Sequence, residues 1–498
     1  MNTKSITYIL GWILKIEAAF MSLPILTALI YGEEQGWTFV LVMALCLLCG
    51  ALLTGRKPKN PSFYAREAFV ATALGWIAMS VFGCIPFVLT GEIPRFIDAL
   101  FETVSGFTTT GASIMPDVEI MSHCSMIWRC FTHWIGGMGV LVFLLAVLPM
   151  VGGTNMHLMK AESPGPSVGK LVPKVRFTAQ ILYRLYVVLT AAEFVFLLLG
   201  KMDPYEALCT AFGTAGTGGF GVKNSSIGGY SPYIQWVVTV FMILFGVNFN
   251  VYFLLLMCKF RDAFHCEEMR WYLTIIAAAT LLIFANAYDA ALTVENNLRI
   301  AAFQVASIIT TTGYSTADFQ LWPEFSKTIL VMLMFVGACA GSTGGGLKVS
   351  RFVIAAKSLG AYLISFLHPR AVHKVKFEGK SVEEDTLRAV QLYFVTVIFI
   401  VAASVLLVSL DNFDLVTTFT AVTATFNNIG PGLNGVGPTS NFAAFSDLSK
   451  CVMIFDMLAG RLEIFPLLML LYPPLWRESI SESRRRKRRR ASALGLDA

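Results

Sequence analysis

Long apolar runs alternate with short polar breaks from one end of the chain to the other, and the alternation is periodic. Runs of roughly 20 apolar residues, enough to cross a bilayer core, occupy residues 6–31 and 37–53. From Glu67 onward a unit of about a hundred residues appears four times. Each unit has a long apolar helix, a shorter helix-compatible segment, a polar turn and a second long helix. The pattern predicts outer helices near 68–89, 178–199, 271–292 and 386–410, and inner helices near 125–151, 233–258, 326–356 and 448–472. Two N-terminal spans fall in 1–60, the four units in 61–176, 177–265, 266–380 and 381–476, and a basic tail in 477–498. The expected fold is an all-α membrane protein of ten spans, with four pseudo-symmetric helix–loop–helix units around one central pore.

Composition agrees: 56% of residues are hydrophobic and 14% charged, which excludes a chain of soluble domains. Charge sets the expected orientation. Basic connections between units (160–176, 259–270, 348–380) alternate with acidic or nearly neutral ones inside units (92–98, 117–119, 289–295, 411–414). By the positive-inside rule each unit enters and leaves in the cytoplasm, and both termini lie there. The N-terminal segment is too long for a signal peptide and has no small-residue cleavage site, so it reads as a retained span. The short segments must then dip back into the membrane from outside. Irregular backbone at that depth is tolerated where it lines a cavity. The basic run at 484–490 follows a span directly, which suits anionic lipid better than nucleic acid. Cys46 and Cys49 have CxxC spacing but sit inside an apolar span, and the six histidines fall singly, without metal-ligand spacing.

The chemistry is concentrated in the four polar turns. Thr108-Thr109-Thr110-Gly111 and Ser307-Ile308-Ile309-Thr310-Thr311-Thr312-Gly313-Tyr314 share a core, and Phe212-Gly213-Thr214-Ala215-Gly216 and Phe426-Asn427-Asn428-Ile429-Gly430 fit the same frame. Phe107, Phe212 and Phe426 each precede their glycine as Phe-x-x-x-Gly. Asp98 and Asp203 stand thirteen residues before Gly111 and Gly216; with Asp414 in the fourth unit they read as helix N-caps, and Pro204 takes the first helical position. Six residues before the glycines come Ser105, Thr210, Ser307 and Ala424, all small, as close packing about an axis requires. Each short helix would aim its negative dipole end at that axis, which favours a cation. A dehydrated monovalent cation needs several oxygens, and four converging turns supply rings of carbonyls, with threonine hydroxyls as an additional source, glycine permitting the backbone angles. The expected ligands are Thr109, Thr110, Gly111; Ala215, Gly216; Thr311, Thr312, Gly313; and Asn428, Ile429, Gly430. The second turn continues as Gly216-Thr217-Gly218-Gly219-Phe220-Gly221, and this excess of glycine leaves its register open by two or three residues.

Thr311-Thr312-Gly313-Tyr314 resembles the start of the potassium-channel filter TVGYG. Four unequal units in one chain, each with one filter glycine, resemble the Trk/Ktr/HKT superfamily of potassium transporters, and the two extra N-terminal spans are similar to its bacterial TrkH/TrkG branch. The resemblance covers nearly the whole chain. It implies potassium uptake across the bacterial inner membrane, with Gly111, Gly216, Gly313 and Gly430 as filter glycines and potassium as the bound ion. It also implies a homodimer with a cytoplasmic nucleotide-binding regulatory subunit of the TrkA type.

A second glycine run, Gly337-Ala338-Cys339-Ala340-Gly341-Ser342-Thr343-Gly344-Gly345-Gly346, should break the third inner helix, because each glycine costs about 1 kcal/mol against alanine. Gly136, Gly137 and Gly139, then Gly246, Asn248 and Asn250, then Gly460, mark breaks at comparable places. Arg461 is a charge deep in an apolar helix, costly and by default functional; its bland alternative is a structural pair with Glu463 or packing near the cytoplasmic mouth. The resemblance implies that the loop carrying Gly341, Gly344, Gly345 and Gly346 closes the pathway together with Arg461. Two motifs mislead: 216–221 spells GxGxxG without a preceding strand, and 341–348 approaches a P-loop with Leu347 where lysine belongs. A symporter coupling potassium to proton or sodium entry is the alternative within this class, with Glu17 and Glu193 as candidate coupling carboxylates. A membrane-embedded enzyme would need clustered His, Asp or Glu residues or an activated serine, which the sequence does not present.

Overall fold

The computed structural model describes residues 3–55, 65–139, 175–370, 373–474 and 476–477. The expected second half of the first inner helix, the basic connection at 160–174 and the tail at 484–490 lie outside the described residues. Polarity is distributed inside out. Phe399 and Leu406 are more than 70% exposed, whereas Glu102, Arg129, His133 and the threonine triplets 108–110 and 310–312 are buried. That arrangement suits lipid outside and a polar pathway within.

Two N-terminal helices, Thr3–Phe20 and Ser22–Tyr31, form one span that pairs with Gly36–Thr54. Their crossing is set by small residues: a Cβ on Gly11 would stand 2.9 Å from the Gly50 carbonyl oxygen, and one on Gly50 would stand 2.8 Å from that of Gly11. Four outer helices follow at Ala65–Thr90, Val175–Leu199, Glu267–Asn286 and Glu384–Val408, close to the expected places. The short helices are Phe96–Phe107, Pro204–Gly216, Val294–Ile309 and Leu415–Phe426. Asp203 and Asp414 cap theirs, accepting from Tyr205 and Glu206 N–H and from Thr417 N–H. Asp98 does not cap: its helix begins at Phe96, and its carboxylate instead meets Lys450 Nζ at 2.6 Å, joining the first and fourth units. Hydrogen bonds from Thr417 hold the Asp414 carboxyl below the usual carboxylate range.

Seven helices among the described residues are long and apolar enough to cross a membrane. The inner spans mostly fall short because the second, third and fourth are broken and the first is described only as far as Gly139. The first helix, His123–Met138, stops at Gly139; the second bends by 91° between Pro232–Gly246 and Phe249–Leu256. The third is split into Glu324–Val336 and Val349–Leu367, and the fourth into Asp447–Arg461 and Phe465–Leu471. Two short strands, Lys376–Phe377 and Lys380–Ser381, form an antiparallel hairpin before the fourth outer helix.

Candidate ion-conducting site

The four short helices end in the same hydrogen-bonded turn. Thr110, Gly218, Thr312 and Ile429 donate their N–H groups to the carbonyls of Ser105, Gly213, Ser307 and Ala424, at 2.8–2.9 Å. One residue earlier, Thr109, Thr217, Thr311 and Asn428 adopt left-handed backbone, with φ between 56° and 60°. One residue later, Gly111, Gly219, Gly313 and Gly430 have φ between 78° and 94°. This double excursion turns the chain back on itself.

The turns also meet one another in cyclic order. A Cβ on Gly111 would overlap the Gly218 carbonyl, one on Gly219 the Thr312 carbonyl, one on Gly313 the Ile429 carbonyl, and one on Gly430 would stand 2.7 Å from the Thr110 carbonyl oxygen. The cycle closes after four contacts, so the carbonyls of Thr110, Gly218, Thr312 and Ile429 form a ring. No described donor is bonded to any of them. The hydroxyls of Thr108 and Thr110 pair at 2.7 Å, and those of Thr310 and Thr312 at 2.8 Å. Those four hydroxyls are engaged, whereas the ring carbonyls are not; Thr109 Oγ1 and Asn428 Oδ1 are also buried without a partner. A funnel of about 160 Å³ opens on the ring, lined by all four glycines and the segments after them.

The second loop differs from expectation. Ala215 and Gly216 lie within the short helix, and Thr217, Gly218 and Gly219 hold the positions that Thr109, Thr110 and Gly111 hold in the first unit. Phe212-x-x-x-Gly216 imitates Phe107-x-x-x-Gly111 by composition, but the helix runs three residues further before it turns. Gly213 accordingly replaces Thr210 at the close-packed position. Gly216 has a packing reason instead: a Cβ there would run into the His133 backbone carbonyl.

Two charged residues not singled out from the sequence brace the ring. Glu102, fully buried, accepts from Arg129 Nε at 2.6 Å and from Ser113 Oγ and Ile114 N–H at 2.9 Å. Arg129 in turn reaches the Gly221 carbonyl at 3.3 Å. The pair therefore ties the first short helix to the exit segments of two loops. Glu102→Ala leaves a buried guanidinium uncompensated, and the expected cost is about 3–5 kcal/mol, seen as a lowered thermal unfolding temperature in detergent.

On the opposite side of the ring, the broken segment of the third inner helix packs directly against the turns. Gly345 N–H donates to Thr311 Oγ1 at 2.6 Å and Gly346 N–H to the Asn427 carbonyl at 3.1 Å. Lys348 Nζ holds the Gly344 carbonyl. Arg461 donates to the Thr343 carbonyl at 2.9 Å and to the carbonyls of Gly136 and Gly137 at 2.5 and 2.7 Å. It does not rely on Glu463, which pairs with Arg351. In the sequence Glu268 carries no signal of a role at this loop. Its carboxylate accepts from Ala340 N–H at 2.7 Å and Ser350 N–H at 3.2 Å, so it anchors both ends of the loop. Residues 341–346 are not helical. Glu17 and Glu193 are buried in peripheral helices and are not among the residues lining the funnel.

The TrkH family model, described as a cation transport protein, matches residues 36–476. The Trk system potassium uptake protein TrkH of Salmonella typhimurium is 36% identical over 490 residues, covering 96% of this chain and all of the relative. The Trk system potassium uptake protein TrkG of Escherichia coli is 31% identical, with the same coverage. The crystal structure of the potassium transporter TrkH from Vibrio parahaemolyticus superposes with a TM-score of 0.85 at 31% identity, over 96% of this chain and all of that one. By sequence along nearly its full length and by fold, this chain belongs to the TrkH family of cation transport proteins, a family of transporters and not of enzymes.

Proposed function

We propose that this protein takes up potassium across the bacterial inner membrane through one central pathway, selected by the carbonyl ring and closed by the glycine loop with Arg461. The observation that carries the reading is the closed ring: four turns of matching hydrogen bonding present four unpaired carbonyls to one axis, the arrangement that replaces an ion's water. The bound ion is the cargo, and Thr110, Gly218, Thr312 and Ile429 contribute the oxygens of one site. Relatives named as potassium uptake proteins support potassium as that cargo.

In this reading the guanidinium of Arg461 lies in the path of a cation leaving the filter, and its three carbonyl partners hold it there. The glycine loop closes the same space and is hydrogen-bonded to the filter through Thr311. In this reading both termini are cytoplasmic, and the basic tail lies at anionic lipid. The functional unit in this reading is a homodimer that takes a nucleotide-binding subunit of the TrkA type; the naming of its relatives as parts of a Trk system supports a further partner in general.

Cation flux into liposomes holding the purified protein tests the reading. Potassium and rubidium should enter, while sodium and lithium should enter at least about tenfold more slowly, the ratio that about 1.4 kcal/mol of discrimination gives. Equal entry of all four would reject a carbonyl filter.

A further inference from the structure

His133 lies on the first inner helix, fully buried, and both of its ring nitrogens are engaged. Nδ1 is 2.8 Å from the Gly106 carbonyl oxygen, at the end of the first short helix. Nε2 is 3.2 Å from the backbone N of Phe220, the residue that follows Gly219. A carbonyl can only accept and an N–H can only donate, so these partners assign a neutral imidazole with its proton on Nδ1.

Phe220 is held on every side. Its ring tilts against the imidazole with centroids 4.2 Å apart, and Arg129 Cζ lies 3.5 Å from its centroid. Its carbonyl accepts from Tyr314 Oη at 3.2 Å. The other loops lack the imidazole's grip: among the described residues no side chain holds the N–H of Ala112 or Tyr314 at the equivalent position, and Pro431 has none to hold. The second loop is also the one with glycine at 216, 218, 219 and 221, so its own sequence restrains it least. A Cβ on Gly218 would run into the His133 ring, which shows how closely the imidazole seats against the residue supplying the ring carbonyl.

We propose that His133 is the positioning residue of the second filter loop. By pinning Phe220 N–H to the first short helix it fixes the Gly218 carbonyl in the ring, and so sets discrimination of potassium from sodium. The inference rests on the filter reading above. It predicts different outcomes for two amides. Glutamine places its amide oxygen as far from the backbone as Nε2 and can take the Phe220 N–H. Asparagine places its amide at the distance of Nδ1 and can serve Gly106 alone.

The test is the potassium-to-sodium permeability ratio of the full-length protein in liposomes, with insertion checked for each variant. His133→Asn should lower the ratio by about tenfold, equivalent to about 1.4 kcal/mol, while potassium flux persists. His133→Gln should rescue most of it. An unchanged ratio in His133→Asn, or equal loss in the two variants, would overturn the assignment, since a purely structural role does not distinguish which nitrogen is replaced. Gly219→Ser is measured alongside. If it lowers the ratio and His133→Asn does not, the His133 proposal fails and the filter stands; if Gly219→Ser leaves the ratio unchanged, the filter reading fails.

Discussion

Gly313→Ser is expected to lower the potassium-over-sodium permeability ratio by about tenfold or more, since each 1.4 kcal/mol lost from the ring is a factor of ten. The backbone at Gly313 has φ of 82°, a region that costs a residue with a Cβ about 1–2 kcal/mol. The space is also taken: the added carbon would overlap the Ile429 carbonyl and come within 3.0 Å of Pro431 Cδ. Neither neighbour is the free end of a flexible side chain. The Ile429 carbonyl must therefore rotate or retreat, and it is one of the four proposed ligands. A retained ratio in inserted protein would remove Gly313 from the filter. The same substitution at Gly219 should match it, whereas at Gly216 it should disturb helix packing against His133 before it changes selectivity.

Arg461→Ala should raise basal potassium flux by about tenfold or more. A fixed charge at roughly 5 Å from a passing cation repels it by about 3 kcal/mol at an effective dielectric of about 20, and the three carbonyls that now orient the guanidinium would lose it together. Removing the charge also releases Thr343 and with it the glycine loop. Deletion of 344–346 should have a similar effect, and the double change should add little, because the two variants remove one barrier. Abolished flux in folded, inserted Arg461→Ala protein would instead assign the arginine a purely structural part.

Much of this architecture is legible from hydropathy alone, because a span must be long and apolar and a polar turn inside it stands out. As left-handed turn glycines, Gly111, Gly313 and Gly430 are legible in the sequence, since each follows a threonine- or asparagine-rich helix exit at the same offset. Gly219 is not, because Phe212 and Gly216 offer an equally good match three residues early; only the hydrogen bond from Gly218 to Gly213 shows where the helix ends. Asp98 illustrates a related limit. An acidic residue near a helix start reads as a cap, yet a lysine far away in sequence captured it. Glu102, Arg129 and Glu268 are recognisable as buried charges only once their partners are known, and in sequence the last reads as part of a hydrophilic connection.

The central claim, that four backbone carbonyls from four unlike loops make one cation site, is tested most directly by crystals of the protein grown in rubidium. Anomalous scattering should place rubidium on the axis, in contact with the carbonyl oxygens of Thr110, Gly218, Thr312 and Ile429 together. Rubidium confined to side-chain carboxylates, or a site built with the Ala215 and Gly216 carbonyls in place of Gly218, would contradict it.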